Sequence, residues 1–188
     1  VFQEINSKGF DSLMSAFIEE TRNPADKSPL YITHDSDSTF VHGKIHRRKY
    51  LLDNNIRWND SLTIHEDSYF NCLCQRLSQN VLYCPNAFYL WKWRDESVCR
   101  HDPKYILKTY NNMLDSNTAL VKQFIERKRL PDAQFYAVSM IYDAYFTMNK
   151  NEWIAQENQQ YRMDVEKRFK RYYAEFETLF VSCPNDVR

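Results

Sequence analysis

The sequence predicts an α/β layer over residues 1–102 followed by a helical C-terminal region over residues 103–188. Two observations carry the first half: short aromatic and branched runs bounded by Asn, Asp, Pro or Ser, and two helical patterns lying between them. The second half rests on Asp102-Pro103, a cap residue followed by a first-turn proline, after which the helical period hardly breaks.

In order, strands are expected at Phe10 to Ile18, Leu30 to Thr33, Val81 to Cys84 and Ala87 to Trp93. A helix is expected over Arg47 to Asn55. A second covers Glu66 to Leu77, where Phe70, Leu73, Cys74 and Leu77 fall at i, i+3, i+4 and i+7 on one face. Strands alternating with helices give an α/β layer. The C-terminal part reads as helices from Pro103 to about Lys128, Pro131 to about Asn149 and Asn151 to about Val181. In the last, Trp153, Tyr161, Val165, Phe169, Tyr172, Phe176 and Phe180 form an aromatic face among charged residues. Its plain reading is a helical hairpin packed on the α/β part, and its alternative is a platform for an acceptor or partner.

With 188 residues and 43% hydrophobic content the chain can bury a core, and 25 basic against 25 acidic residues give no net field to attract nucleic acid or an anionic membrane. No apolar run nears the roughly 20 residues that cross a bilayer, and Glu4, Asn6 and Lys8 interrupt any leader-like segment. A soluble protein of the reducing cytoplasm is the expectation, since the 5 cysteines are odd in number and irregularly spaced. Cys72 and Cys74 lie two apart on a helix and are expected to pack rather than to share a metal or disulfide. Only 2 glycines occur, Gly9 and Gly43, which excludes a glycine-rich phosphate cradle.

Three groups of polar residues invite a chemical reading. Glu66-Asp67 opens a helix, where the dipole alone explains carboxylates. Asp35 and Asp37 imitate an Asp-x-Asp cation pair, yet turn formation explains them equally well. Lys44, Arg47, Arg48 and Lys49 could meet phosphate or form a solvated basic face. The five histidines offer no pair on one helical face, so a zinc hydrolase is not indicated.

The order Gly43-Lys44, Arg47-Arg48 with Leu51, Asn55-Ile56-Arg57, Glu66-Asp67 with Phe70, and Trp93-Arg94 with Ser97 resembles the C-terminal half of a family 2 glycosyltransferase of the GT-A fold, of bacterial or phage type. The resemblance spans about residues 9 to 100, with His46 and Trp93 where tyrosine is common and Trp58 where phenylalanine is common. It implies a partial GT-A-type mixed sheet with flanking helices. It also implies that the nucleotide-sugar is bound by an N-terminal half ending in Asp-x-Asp, after which this chain begins, so Asp35 and Asp37 come too late to be that motif.

The implied reaction is inverting transfer of a sugar from a nucleotide-sugar donor to a hydroxyl of a glycan or other acceptor, with Asp67 as general base and Glu66 positioning the acceptor or Asp67. Lys44, Arg94 and Ser97 would assist the diphosphate. His42, Gly43, Trp91 and Trp93 would meet the acceptor, Gly43 by close backbone approach and the tryptophans by stacking. A divalent cation, Mn or Mg, is implied as cofactor, held mainly by the other half. Two rivals stand beside this reading: a non-catalytic interaction module whose helical tail binds a partner or self-associates, and a transferase acting on a modified nucleic-acid base, which the neutral charge disfavours.

Overall fold

The structure is a computed structural model and describes residues 9–35, 37, 39–95, 105–150 and 159–181. The chain divides into two compact units, residues 1–60 with 66–101, and residues 61–65 with 102–188. Among the described residues no helix is long and apolar enough to cross a membrane.

The first unit is a four-stranded mixed sheet with helices. Its strands are β1 (Ser12–Arg22), β2 (Pro29–His34), β3 (Lys44–His46) and β4 (Val81–Trp91), and its helices are α1 (Arg48–Asp53) and α2 (Glu66–Leu77). β1 is central: β2 and β3 both pair antiparallel with it on one side, and β4 pairs parallel on the other. Its first six residues, Ser12 to Phe17, are all buried, because the run Leu13, Met14, Ala16, Phe17 supplies apolar groups to both faces. Glu19, Glu20 and Arg22 then carry the strand beyond that core. The strand thus runs four residues past the expected end at Ile18.

The two runs read as separate strands around Pro85 are one strand. The ladder to β1 jumps from the pair Ser15 and Cys84 to the pair Ala16 and Ala87, so Pro85 and Asn86 bulge out. A proline lacks the N–H that a ladder needs, and a bulge on an outer strand accommodates it. The three-residue β3 was not expected, being too short and too polar to show a period.

α2 spans the expected residues and buries Tyr69, Phe70, Asn71, Cys72, Leu73 and Cys74. Cys72, Cys74 and Cys84 are free thiols, and burial pushes Cys74 up to about 12. α1 ends at Asn55, whose φ of 47° is left-handed; the Ile56 N–H returns to the Leu51 carbonyl at 2.8 Å. Asparagine tolerates that conformation, and Ile56 closes the turn against the core.

The second unit holds α3 (Tyr105–Glu126), α4 (Leu130–Lys150), α5 (Gln159–Glu175) and α6 (Glu177–Val181). α3 stops at Lys128, also left-handed with φ 58°, and Pro131 then sits in the first turn of α4 where its missing N–H costs nothing. Leu120, Val121 and Phe124 of α3 and Ala133, Ala137 and Met140 of α4 are buried. Phe124 stacks on Tyr136 at 5.5 Å. From the aromatic face of the last helical segment, Val165, Tyr172 and Phe176 are buried and Tyr161 and Phe169 pack against Tyr110 and Val165. Tyr172 donates to Asn117 Oδ1 at 2.5 Å, and Arg168 pairs with Asp115. Most of that face is therefore spent inside its own unit. Trp153 lies outside the described residues.

Two substitutions test this packing. Gly43 has φ 69°, and an added Cβ would stand 2.6 Å from Ser15 Oγ and 3.0 Å from the Ala16 carbonyl. Gly43→Ala should lower the stability of the sheet unit by at least the ~1–3 kcal/mol of a left-handed non-glycine residue, read from urea denaturation. Phe124→Ala should cost ~3–5 kcal/mol in the helical unit, with hydrogen exchange accelerated in α3 and α4.

Candidate functional site

The carboxylates Glu66 and Asp67 stand in the first turn of α2. The Ser68 N–H donates to Asp67 Oδ1 at 2.8 Å, and Ser68 Oγ donates to the Thr39 carbonyl at 3.1 Å, which ties the helix start to the segment leading into Gly43. Burial raises the proton affinity of Asp67 above the ordinary carboxylate range, and the neighbouring Glu66 charge adds to it; the Ser68 N–H opposes both. A helix N-terminus favours a carboxylate anion. Here desolvation outweighs it, which moves the group toward the range in which it can take a proton.

A ring cluster covers the outer half of one sheet face. Phe17 and Glu19 project to the same side of β1, and the register sets His34 beside Phe17 and Trp91 beside Glu19. Tyr89, two residues before Trp91 on β4, shares that side. The 39–44 segment lays Phe40 and His42 over them. His42 stacks on Tyr89 at 4.7 Å with planes 9° apart and lies 4.8 Å from Trp91. Phe17 stacks on His34 at 4.6 Å and meets Phe40 and His42 edge-on. Glu19 Oε2 and His34 Nε2 are 2.8 Å apart. Burial, then Lys44, lowers the pKa of His42, so the neutral imidazole is favoured at its stack.

Of the expected acceptor residues, His42 and Trp91 come together in this cluster. Gly43 adjoins it, but the close approach it makes is to β1, not outward: its carbonyl accepts from Ser15 N–H at 3.0 Å and from Ser15 Oγ at 2.7 Å. Trp93 follows the end of β4, where its Nε1–H donates to Asp95 at 2.6 Å and the Arg22 guanidinium lies 5.8 Å over its ring.

Among the expected diphosphate residues, Lys44 donates to the His42 carbonyl at 3.0 Å and lies 5.7 Å over the Phe17 ring. Burial lowers its pKa while Asp37 opposes the shift. Its ammonium is thus directed into the cluster. Arg94 is exposed beyond β4, and Ser97 lies outside the described residues. Arg47 lies 5.8 Å over Phe10, and Lys49 pairs with Asp53 one turn along α1 at 2.8 Å. The basic run is therefore divided among local partners.

Asp37 Oδ1 accepts from both the N–H and the hydroxyl of Thr39 at 2.6 Å, the turn expected of it. Among the described residues no group of three or more His, Cys, Asp or Glu could hold a metal ion.

A second polar cluster lies at the join of β1, β3 and α2. Ser12 Oγ and His46 Nδ1 share a hydrogen bond of 2.9 Å, Ser12 Oγ also donates to the Cys74 carbonyl, and Tyr50 OH reaches the same carbonyl at 2.8 Å. Ser12 and Asn71 are wholly buried and burial keeps His46 toward its neutral form, so these groups fasten β1 and β3 to α2.

Glu19, His34, Phe40 and Tyr89 were missed by sequence reasoning. The signal was present as period-2 pairs, Phe17 with Glu19 and Tyr89 with Trp91, on strands whose extents were read too short or split. Comparison with protein-family models, with curated proteins and with solved structures gives no match.

Proposed function

We propose that this chain is the acceptor-side part of an inverting glycosyltransferase that moves a sugar from a nucleotide-sugar donor to a hydroxyl of a glycan or similar acceptor. One observation carries the reading: Asp67, a half-buried carboxylate of raised proton affinity, opens a helix whose start is bonded to the segment bearing the ring cluster. The motif order around Glu66-Asp67 agrees with it.

In this reading the acceptor hydroxyl attacks the anomeric carbon as the bond from that carbon to the diphosphate oxygen breaks. The hydroxyl proton passes to Asp67, and the nucleoside diphosphate leaves on the opposite face. A general base works best when its proton affinity rises toward the working pH, which desolvation of Asp67 favours. Glu66 keeps the local field negative and so opposes premature loss of the proton once taken. His42 and Trp91 receive the acceptor.

Asp67→Asn keeps the shape and removes the proton acceptor. In the intact transferase, turnover should fall by ~10²–10⁴ with little change in donor affinity, measured by sugar transfer and by calorimetry. Wild-type turnover in that variant would refute the assignment. The wild-type kcat/KM should decline as pH falls through a value above the ordinary carboxylate range, because the protonated acid cannot accept a proton.

Stability gives a separate readout. A carboxylate whose folded pKa is raised favours the fold below its unfolded pKa, and that advantage is lost as pH rises through the folded value. At pH 7 the ionised Asp67 is therefore a burden on the fold. Asp67→Asn should melt at or above the wild-type temperature at pH 7, and the difference should shrink at pH 4, as followed by circular dichroism.

A further inference from the structure

We propose that His46 is a proton-operated latch: its neutral ring joins the end of β3 to β1 and α2, and on taking a proton it lets that strand end and α2 come loose from each other. The inference stands on the interior of the sheet unit and does not depend on the transferase reading.

The hydrogen bonds assign the ring its hydrogen. Ser12 Oγ has one proton, which it donates to the Cys74 carbonyl at 3.2 Å, so in its 2.9 Å bond with His46 Nδ1 it is the acceptor. Nδ1 therefore carries the hydrogen of the neutral ring, and Nε2 carries the lone pair. Among the described residues Nε2 and both amide atoms of Asn71 are buried without a hydrogen-bond partner, and Asn71 as a whole is buried. A neutral ring tolerates that setting far better than a charged one, because an ionised group taken from water needs a partner of opposite charge.

The surroundings of the ring are neutral or of like charge. From α2 it meets Phe70 edge-on at 5.7 Å and the Asn71 amide, and burial keeps the Cys74 thiol protonated. From α1, Tyr50 OH donates to the Cys74 carbonyl. From β1 comes the Ser12 hydroxyl, while the Asp11 carboxylate just before it is turned to the N–H groups of Gln79 and Asn80. On its own strand the charged neighbour is Lys44, which repels a second cation; Arg47, next along the chain, lies over Phe10. Burial is the largest influence and Lys44 adds to it, whereas Asn71 opposes both, so the folded ring holds a proton less well than a free histidine.

The moving part is small. β3 has three residues, and His46 is the last of them, paired with Ser12 at the start of β1. Swinging it toward water gives up that pair and the adjacent bond from the Arg47 N–H to the Asp11 carbonyl. Phe70, against which the ring stands, is stacked on Trp58 at 4.3 Å, and Asn71 lies one turn after Asp67 on α2. Release of the ring therefore reaches the start of that helix. The sign follows from linkage: a group whose folded pKa is lowered supports the fold fully above its unfolded pKa, about 6.5 for histidine, and that support is lost as pH falls through this value toward the folded one. Asp67 acts in the opposite sense, so the two effects are distinguishable.

The test uses the wild-type chain and His46→Phe, which keeps a flat ring and removes the titration. Two-dimensional NMR follows the ring C–H signals of His46 with pH, and amide exchange over 44–50 and 66–77 is compared at pH 7 and pH 5 after correction for intrinsic rates. His46 is expected to titrate below the free histidine value, and exchange in both segments to quicken about three- to tenfold at pH 5 in the wild type but not in His46→Phe. Titration at or above the free value, exchange in these segments that ignores pH, or a response that persists in folded His46→Phe would overturn the proposal. Should His46→Phe not fold, Asn71→Asp decides in its place. A carboxylate beside Nε2 should raise the titration of His46 and cancel the loosening at pH 5, and loosening unchanged in that variant counts against the latch.

Discussion

The contact between Gly43 and the middle of β1 is the constraint on which the sheet unit depends. The Gly43 carbonyl receives both the backbone and the side chain of Ser15, and the absence of a Cβ lets the two backbones close to a distance no other residue permits. Everything around that point inherits its position. Ahead of it, Phe40 and His42 are laid over the sheet; after it, Lys44 begins β3; and Thr39 supplies the carbonyl that anchors Ser68 at the start of α2. A loop without this clamp would leave three separate groups of side chains with no fixed relation.

Asp67 is set against the helix start that carries it. The helix dipole and the Ser68 N–H both favour the anion, yet burial and Glu66 prevail. Had the aim been a firm helix start, a solvated carboxylate would serve better. Groups held at such a disadvantage are common where a proton must be taken during reaction. Lys44 has the opposite fate, because its charge is absorbed by a carbonyl and a ring inside the cluster and serves cohesion.

The elements with long regular periods were legible in the sequence. α2 spans the residues its apolar face indicated, and the long C-terminal helices lie within a few residues of the segments read for them. The strands were harder, for definite reasons. Charged Glu19, Glu20 and Arg22 look like the end of a strand, but β2 continues to supply partners as far as Arg22. Pro85 looks like a break, but an outer strand absorbs it by bulging. β3 has three residues and its register comes from Gly43, which no local pattern reports. The candidate site follows the same division: Glu66, Asp67, His42 and Trp91 were picked out along the chain, while Glu19, His34 and Tyr89 join them only through cross-strand register.

The bulge at Pro85 has a bearing on how the molecule behaves in a crowd. Among the described residues β4 pairs only with β1, and Phe88, Tyr89 and Leu90 are exposed along it. A regular apolar strand at the edge of a sheet is a template for intermolecular pairing. The missing N–H of Pro85 and the two looped-out residues interrupt that template midway, leaving stretches too short to seed a ladder. The kink that disguises the strand in the sequence would thereby weaken any ladder added along β4.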